Sequence, residues 1–372
     1  MKRNAGKRSR QHGERGQILV VAVLSLIAMI GGVSLVLEGG NAYAHQRVAQ
    51  NAADAVANAG ATILAERLGG GSQGDAQVLA ATANVAALNS LDSYSAYYTD
   101  VDAKLLNPAG IVVGNTSAAA QVGGGIIPPN TQGVQVTGNL TFPTTFARVL
   151  GMNAFRASAD ATSVTGALIG GLFLPVVFPV NIVDCAGDGS IAGVGEENWE
   201  ISEPGDPPVG QEYIVPLCKT DAGSFMILDL DGTMNNCDDE VSDPPNIQFA
   251  AFPATIQSDN GNNCAKEMVD EVNKLAGKVV LIPICDGDCV TAGGSNAEYH
   301  MIRVAAFYLD YMSDVNGGTN AMCDGNGTTL IPIAGNGSSS CLAGWFVRYV
   351  TKGPVGRGTI DGAGAIGIQL KR

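Results

Sequence analysis

An unbroken apolar stretch, residues 18–37, lies between Arg15 and Glu38 and contains no charged side chain. Wound as a helix at about 1.5 Å per residue, roughly 20 such residues cross a hydrocarbon core of about 30 Å. The pattern therefore predicts a transmembrane helix over 17–38. Apolar, mostly small residues then recur near helical spacing, at Tyr43, Val48, Ala52, Ala55, Val56, Ala59 and Ile63, within an alanine-rich, proline-free stretch over 41–68. One helix rising out of the membrane is expected, ended by Gly69, Gly70 and Gly71. A second alanine-rich helix is read over 75–91, followed by a polar, tyrosine-bearing segment over 93–102. Loops are marked by the glycines at 123–125 and the prolines at 128–129. Alternation through Val134 and Val136 predicts a strand over 132–140, then a short helix over 144–150 and a returning strand over 154–164.

Beyond Gly166 the character changes: proline, glycine, aspartate and cysteine rise, and helical periodicity survives mainly over 263–275. Segments 277–284, 302–311 and 345–350 read as core strands from their β-branched and aromatic content. The fold class is α+β: a transmembrane helix extended into a stalk, a small α+β module, and a disulfide-bonded β-rich domain. The expected divisions are a basic tail (1–16), the span (17–38), stalk helices with the α+β module (39–169), and a cysteine-containing domain (170–372).

Charge adds orientation. Lys2, Arg3, Lys7, Arg8, Arg10 and Arg15 precede the span and Glu38 follows it, so the basic flank stays cytoplasmic and the rest lies outside the membrane. A cleaved signal peptide competes, with Ala42, Tyr43 and Ala44 offering a small-x-small site, but the apolar run exceeds the usual length. Net charge is −14 over 372 residues; removing six basic residues and one acid before Gly16 leaves 15 basic against 34 acidic side chains, or −19. Such a surface repels phosphate backbones, so nucleic acid is not an expected partner.

Cysteine placement agrees with an exterior location. Cys185, Cys218, Cys237, Cys264, Cys285, Cys289, Cys323 and Cys341 all fall in the second half, where an oxidising environment favours disulfides. Spacing leaves the connectivity open, with Cys285 and Cys289, and Cys323 and Cys341, as local candidates. Zinc is a weaker reading, since no Cys-x-x-Cys pair occurs and only His45 and His300 lie on that side.

Candidate chemistry is sparse. Asp229, Asp231 and Glu240 stand at the first, third and twelfth places of a calcium-type loop, but Met234 occupies the place where the turn needs glycine. The plainer reading is an acidic turn after a strand at 225–228; calcium is the one cofactor the pattern suggests. The acidic turns near 184–188, 286–288 and 324–327 supply turn geometry. No serine sits in a Gly-x-Ser-x-Gly elbow, a triad would have to use His300, and no Gly-Lys-Ser/Thr follows a glycine cluster. An enzyme is not expected. Trp345 reads as core, while Tyr94, Tyr97 and Tyr98 read as contact-surface residues.

The segment Arg15-Gly-Gln-Ile-Leu-Val20, the exit Leu37-Glu-Gly-Gly40 and Gln50-Asn-Ala-Ala-Asp54 resemble the N-terminal signature of TadE/TadG-like proteins, membrane-anchored pilin-like components of Tad (Flp-type) pili. Further stretches similar to long Tad-like proteins include Thr144-Thr-Phe-Ala-Arg-Val-Leu-Gly151, Gly223-Ser-Phe-Met-Ile-Leu-Asp-Leu-Asp-Gly232 and Tyr299-His-Met-Ile-Arg-Val-Ala-Ala-Phe307. The resemblance implies a role in pilus assembly beside the major pilin, as a minor pilin or priming subunit, with other Tad components as partners. Pilin precursors cut by prepilin peptidase carry a glutamate five residues after the cleaved glycine; counting from Gly16, that place holds Val21. A stationary membrane role is thereby easier to defend than entry into the filament. Gly31 and Gly32 within the span let neighbouring helices approach closely, and with Glu38 at the exit they form the candidate helix-packing set. A self-standing surface adhesin, using the distal domain to bind a surface ligand, is the alternative.

Overall fold

The computed structural model describes residues 15–179, 181–183, 190–195, 200–203, 205–217, 227–230, 232, 237–243, 246–249, 251–258, 264–290, 298–313, 340–357 and 364–371. Helix α1 (Arg15–Leu68) joins the predicted span and stalk into one element of 54 residues, about 80 Å long. Nothing in 15–68 interrupts the backbone ladder, since the segment lacks proline and its glycines are tolerated singly or in pairs. The three glycines then stop it. Gly69 donates to Ala65 O (2.9 Å) and Gly71 to Glu66 O (3.0 Å), while Gly70 takes φ +92, open to a residue without Cβ.

Helix α2 (Asp75–Leu88) begins at Gly74, whose amide donates to Gln77 Oε1 (2.9 Å), and ends three residues short of the expected Leu91. Strand β1 (Ser93–Thr99) follows, then β2 (Gly133–Pro143) and β3 (Ala154–Leu168). These form an antiparallel sheet in which Tyr98 pairs with Val134 and Phe142 with Phe155. The helix expected over 144–150 is reduced to a single 3-10 turn, Ala147–Leu150, closed by Gly151 in the left-handed region.

The sheet is completed from the far end of the chain. Strand Ile366–Lys371 pairs antiparallel with β3, and Val350–Lys352 lies parallel to it at the edge. Residues near the C-terminus thus finish a sheet begun before residue 100.

A second sheet is centred on the strand Glu298–Ser313. Val279–Val290 and Ser340–Phe346 flank it antiparallel, with Tyr213–Leu217 beyond the latter and Ala254–Gln257 on the first half of the central strand. Its core is aromatic: Phe307 lies 5.1 Å from Phe346 and 5.7 Å from Phe178, both edge to face, the geometry ring quadrupoles favour. Trp345 is buried against Tyr308, as its apolar strand predicted. The helix expected over 263–275 is Cys264–Asn273. The whole is a mixed helix-and-sheet protein led by a long apolar helix.

Cys285 and Cys341 are fully buried and neither is a free thiol. Cys185, Cys218 and Cys323 lie outside the described residues.

Candidate assembly surface

Helix α1 is divided by what covers it. From Ile18 to Leu37 its large apolar side chains are 49% to 76% exposed. From Ala49 onward one face disappears: Ala49, Ala52, Ala53, Val56, Ala57, Ala61, Leu64 and Ala65 are buried, most against Val134, Val136, Ala157, Ala159 and Ala161 of β2 and β3. The approach is close enough that a Cβ added at Gly60 would stand 2.9 Å from Val134 Cγ2. The stalk stripe is therefore corrected in part. Ala52 and Val56 are buried within the protein, Val56 against its own sheet, whereas Tyr43 and Val48 are exposed. Small side chains here let a helix lie on a sheet, which leaves the apolar stretch before Glu38 as the free part.

Strand β2 descends along α1 toward the apolar half. Val134 lies beside Gly60, Gly138 beside Ala53, and the Phe142 ring stacks on His45 at 4.1 Å and 8°. At the bottom, the Glu38 carboxylate accepts from the amides of Thr145 (3.1 Å) and Phe146 (3.5 Å). Strand β3 climbs back, its Ser158 and Asp160 carbonyls accepting from Gln46 (2.7 Å) and Gln50 (3.1 Å). Glu38 thus faces its own chain, one residue past the apolar stretch. Gly31 and Gly32 have nothing within 4 Å of an added Cβ.

At the opposite end of the module, Asp75 ties three segments together. Its Oδ1 accepts from the Tyr98 hydroxyl (2.6 Å) and the Gly123 amide (2.8 Å), and its Oδ2 accepts from the Gly125 amide (2.7 Å). Both glycines take φ near +90, which lets their amides converge on one carboxylate. The surface reading of Tyr98 is overturned: β1 places Ala96 and Tyr98 on its inner face, and Asp75 satisfies the hydroxyl. Burial first, then Asp75, pushes the Tyr98 phenol above its ordinary range. Tyr94 and Tyr97 are half-buried.

Among the described residues, the remaining sequence candidates hold local structure. Asp229 Oδ1 accepts the Gly232 amide (2.6 Å) and Glu240 Oε1 the Leu230 amide (2.6 Å), so each carboxylate serves a turn of its own loop. Asp231 lies outside the described residues. Among the described residues no three His, Cys, Asp or Glu side chains are grouped as metal ligands. His300 sits on the central strand, paired in register with Thr255. Sequence reasoning missed one acid pair: Glu212, at the start of an edge strand, is held up to about 7 by burial and then by the charge and hydrogen bond of Asp310. Nothing in the sequence spacing brings positions 212 and 310 together.

Among the described residues one helix, the segment Ile18–Leu68, is long and apolar enough to cross a membrane. Residues 16–62 match the Flp pilus-assembly TadE/G-like family model, and residues 59–163 match the Tad-like Flp pilus-assembly model. The first match covers the exposed and sheathed parts of α1, and the second covers the end of α1, α2 and the first three strands. No curated protein and no solved structure matches the chain.

Proposed function

Over residues 16–163 the chain belongs to the TadE/G-like and Tad-like Flp pilus-assembly families, and on that premise we propose that it is a minor pilin-like or priming subunit anchored by α1. The observation that carries this reading is the division of α1 into a bare apolar half and a half sheathed by its own sheet. A helix so divided presents its free half to lipid and to other apolar helices, while the sheathed half holds the folded module outside. Gly31 and Gly32, with no neighbour in the chain, allow a second helix to come within backbone contact there. The six basic residues before Gly16 place the N-terminus in the cytoplasm.

The work is done by contacts rather than by a chemical reaction. Disulfides formed by the eight cysteines hold the outer domain in the oxidising exterior, and that domain carries the surface met by partners or ligands outside. Deleting the gene and imaging pili tests the assembly role. The proposal expects pili to be lost or sharply fewer and restored by the intact gene; normal piliation would defeat it. Immunogold labelling then separates a subunit along the fibre from one that stays at its base.

A further inference from the structure

We infer that the loop between β2 and β3, residues 144–153, is a second membrane contact, lying in the headgroup–acyl boundary of the leaflet from which α1 emerges. The inference rests on α1 being the membrane anchor. Two independent rulers place the loop at that depth. Along α1, Gly60 to Glu38 is 22 residues, about 33 Å at a helical rise. Along β2 and its exit, Val134 to Thr145 is 11 residues, about 36 Å at a strand rise. The contacts at both ends of this ladder, Gly60 with Val134 and Glu38 with Thr145, fit those lengths, so the loop stands level with the end of the apolar stretch.

The composition of the loop suits that position. Phe146 is 36% exposed and Met152 46% exposed, on a turn whose buried members Thr144 and Ala147 face inward. Thr144 Oγ1 donates to the Met152 carbonyl, which ties the two ends of the loop together. Arg148 is exposed on the same turn, and Tyr43, with Arg47 5.2 Å from its ring centre, is exposed just above the span. Aromatic rings with basic side chains beside them are what an interfacial site takes up: the rings enter the acyl boundary and the cations meet lipid phosphates. Glu38, the acid nearest the loop, is turned onto the Thr145 and Phe146 amides. Phe146 sits on Glu38, the residue after exposed Leu37 of the anchor, and the occupant this position fits is lipid.

The test uses the full chain reconstituted in vesicles of phosphatidylcholine and phosphatidylglycerol, with or without lipids brominated on the upper acyl chain. Tryptophan is introduced singly by Phe146→Trp, Met152→Trp, Ile111→Trp or Leu26→Trp, and the wild-type emission of Trp199 and Trp345 is subtracted. Ile111 is an exposed residue in the loop after β1, at the Tyr98 end of the module. The inference predicts a blue-shifted emission at 146 and 152 that is lost in brominated vesicles, and an emission at 111 that is retained. Quenching at 26 with none at 146 and 152 would overturn the loop contact and leave the anchor standing. No quenching at 26 would overturn both.

Discussion

The Tyr98 hydroxyl donates a 2.6 Å hydrogen bond to Asp75, joining β1 to the first residue of α2 across 23 positions of sequence. The same carboxylate receives the amides of Gly123 and Gly125, so one buried acid fixes a helix start, a strand and a glycine loop. All three lie within the family-matched part of the chain.

Tyr98→Phe keeps the packing and removes one donor, and should lower unfolding stability by about 1 kcal/mol. Asp75→Ala strands the hydroxyl and two amides and should cost about 3 kcal/mol or more. The pH dependence gives a second readout. Because the folded phenol is held above the ordinary tyrosine value, its contribution is fully present below about pH 10 and fades as pH rises further. Urea titrations between neutral pH and pH 11 should show a steeper alkaline loss for wild type than for Tyr98→Phe.

Glu212 predicts a change of the same sign in a lower pH window. Its ordinary value of 4.5 rises to about 7 in the folded protein, through burial and then through Asp310. A carboxyl that binds its proton more tightly when folded stabilises the protein below about 4.5, and this is lost as pH climbs through about 7. Glu212→Gln should flatten that fall. With solvent screening at a half-exposed site, it should be more stable than wild type at pH 8 by about 1 kcal/mol, read by denaturant melts at several pH values.

Gly60 tests the seam between helix and sheet. A side chain there meets Val134 Cγ2 at 2.9 Å and Thr82 Cγ2 at 3.1 Å. Gly60→Leu must push α1 off β2 and should cost about 2 to 3 kcal/mol despite the better helix propensity of leucine. A melting temperature equal to wild type would mean that the seam is looser than described.

Much of the N-terminal architecture was legible because its signals are local. The uncharged run at 18–37, the absence of proline to Leu68 and the triple glycine after it together dictate α1 and its end. Val134 and Val136 alternate strongly enough to mark β2. The buried face of the stalk was only half legible, because in an alanine-rich helix almost every face is small. Ala49, Ala53, Ala57 and Ala61 carry no stronger signal than the residues left outside. Tyr98 was misread because serines and tyrosines made β1 look polar throughout, while its alternation was hidden. The pairing of Ile366 with Ala167 joins positions about 200 apart, and neither segment encodes its partner. The Glu38 contact was equally hidden, since a residue read for its charge at the membrane exit serves the backbone of a loop 107 positions later.

The central claim, that the bare half of α1 packs among pilus components, is tested most directly by photo-crosslinking in cells. A photoreactive residue at position 24 or 35 shares a helical face with Gly31, and pairing it with Gly31→Leu and Gly32→Leu probes the close approach. The folded module should be untouched by the two leucines, since neither glycine has a neighbour in the chain, and its melting temperature serves as the control. The account predicts crosslinks to Tad pilus proteins that vanish in the double variant. Crosslinks to lipid alone, or protein crosslinks unchanged by the leucines, would contradict it.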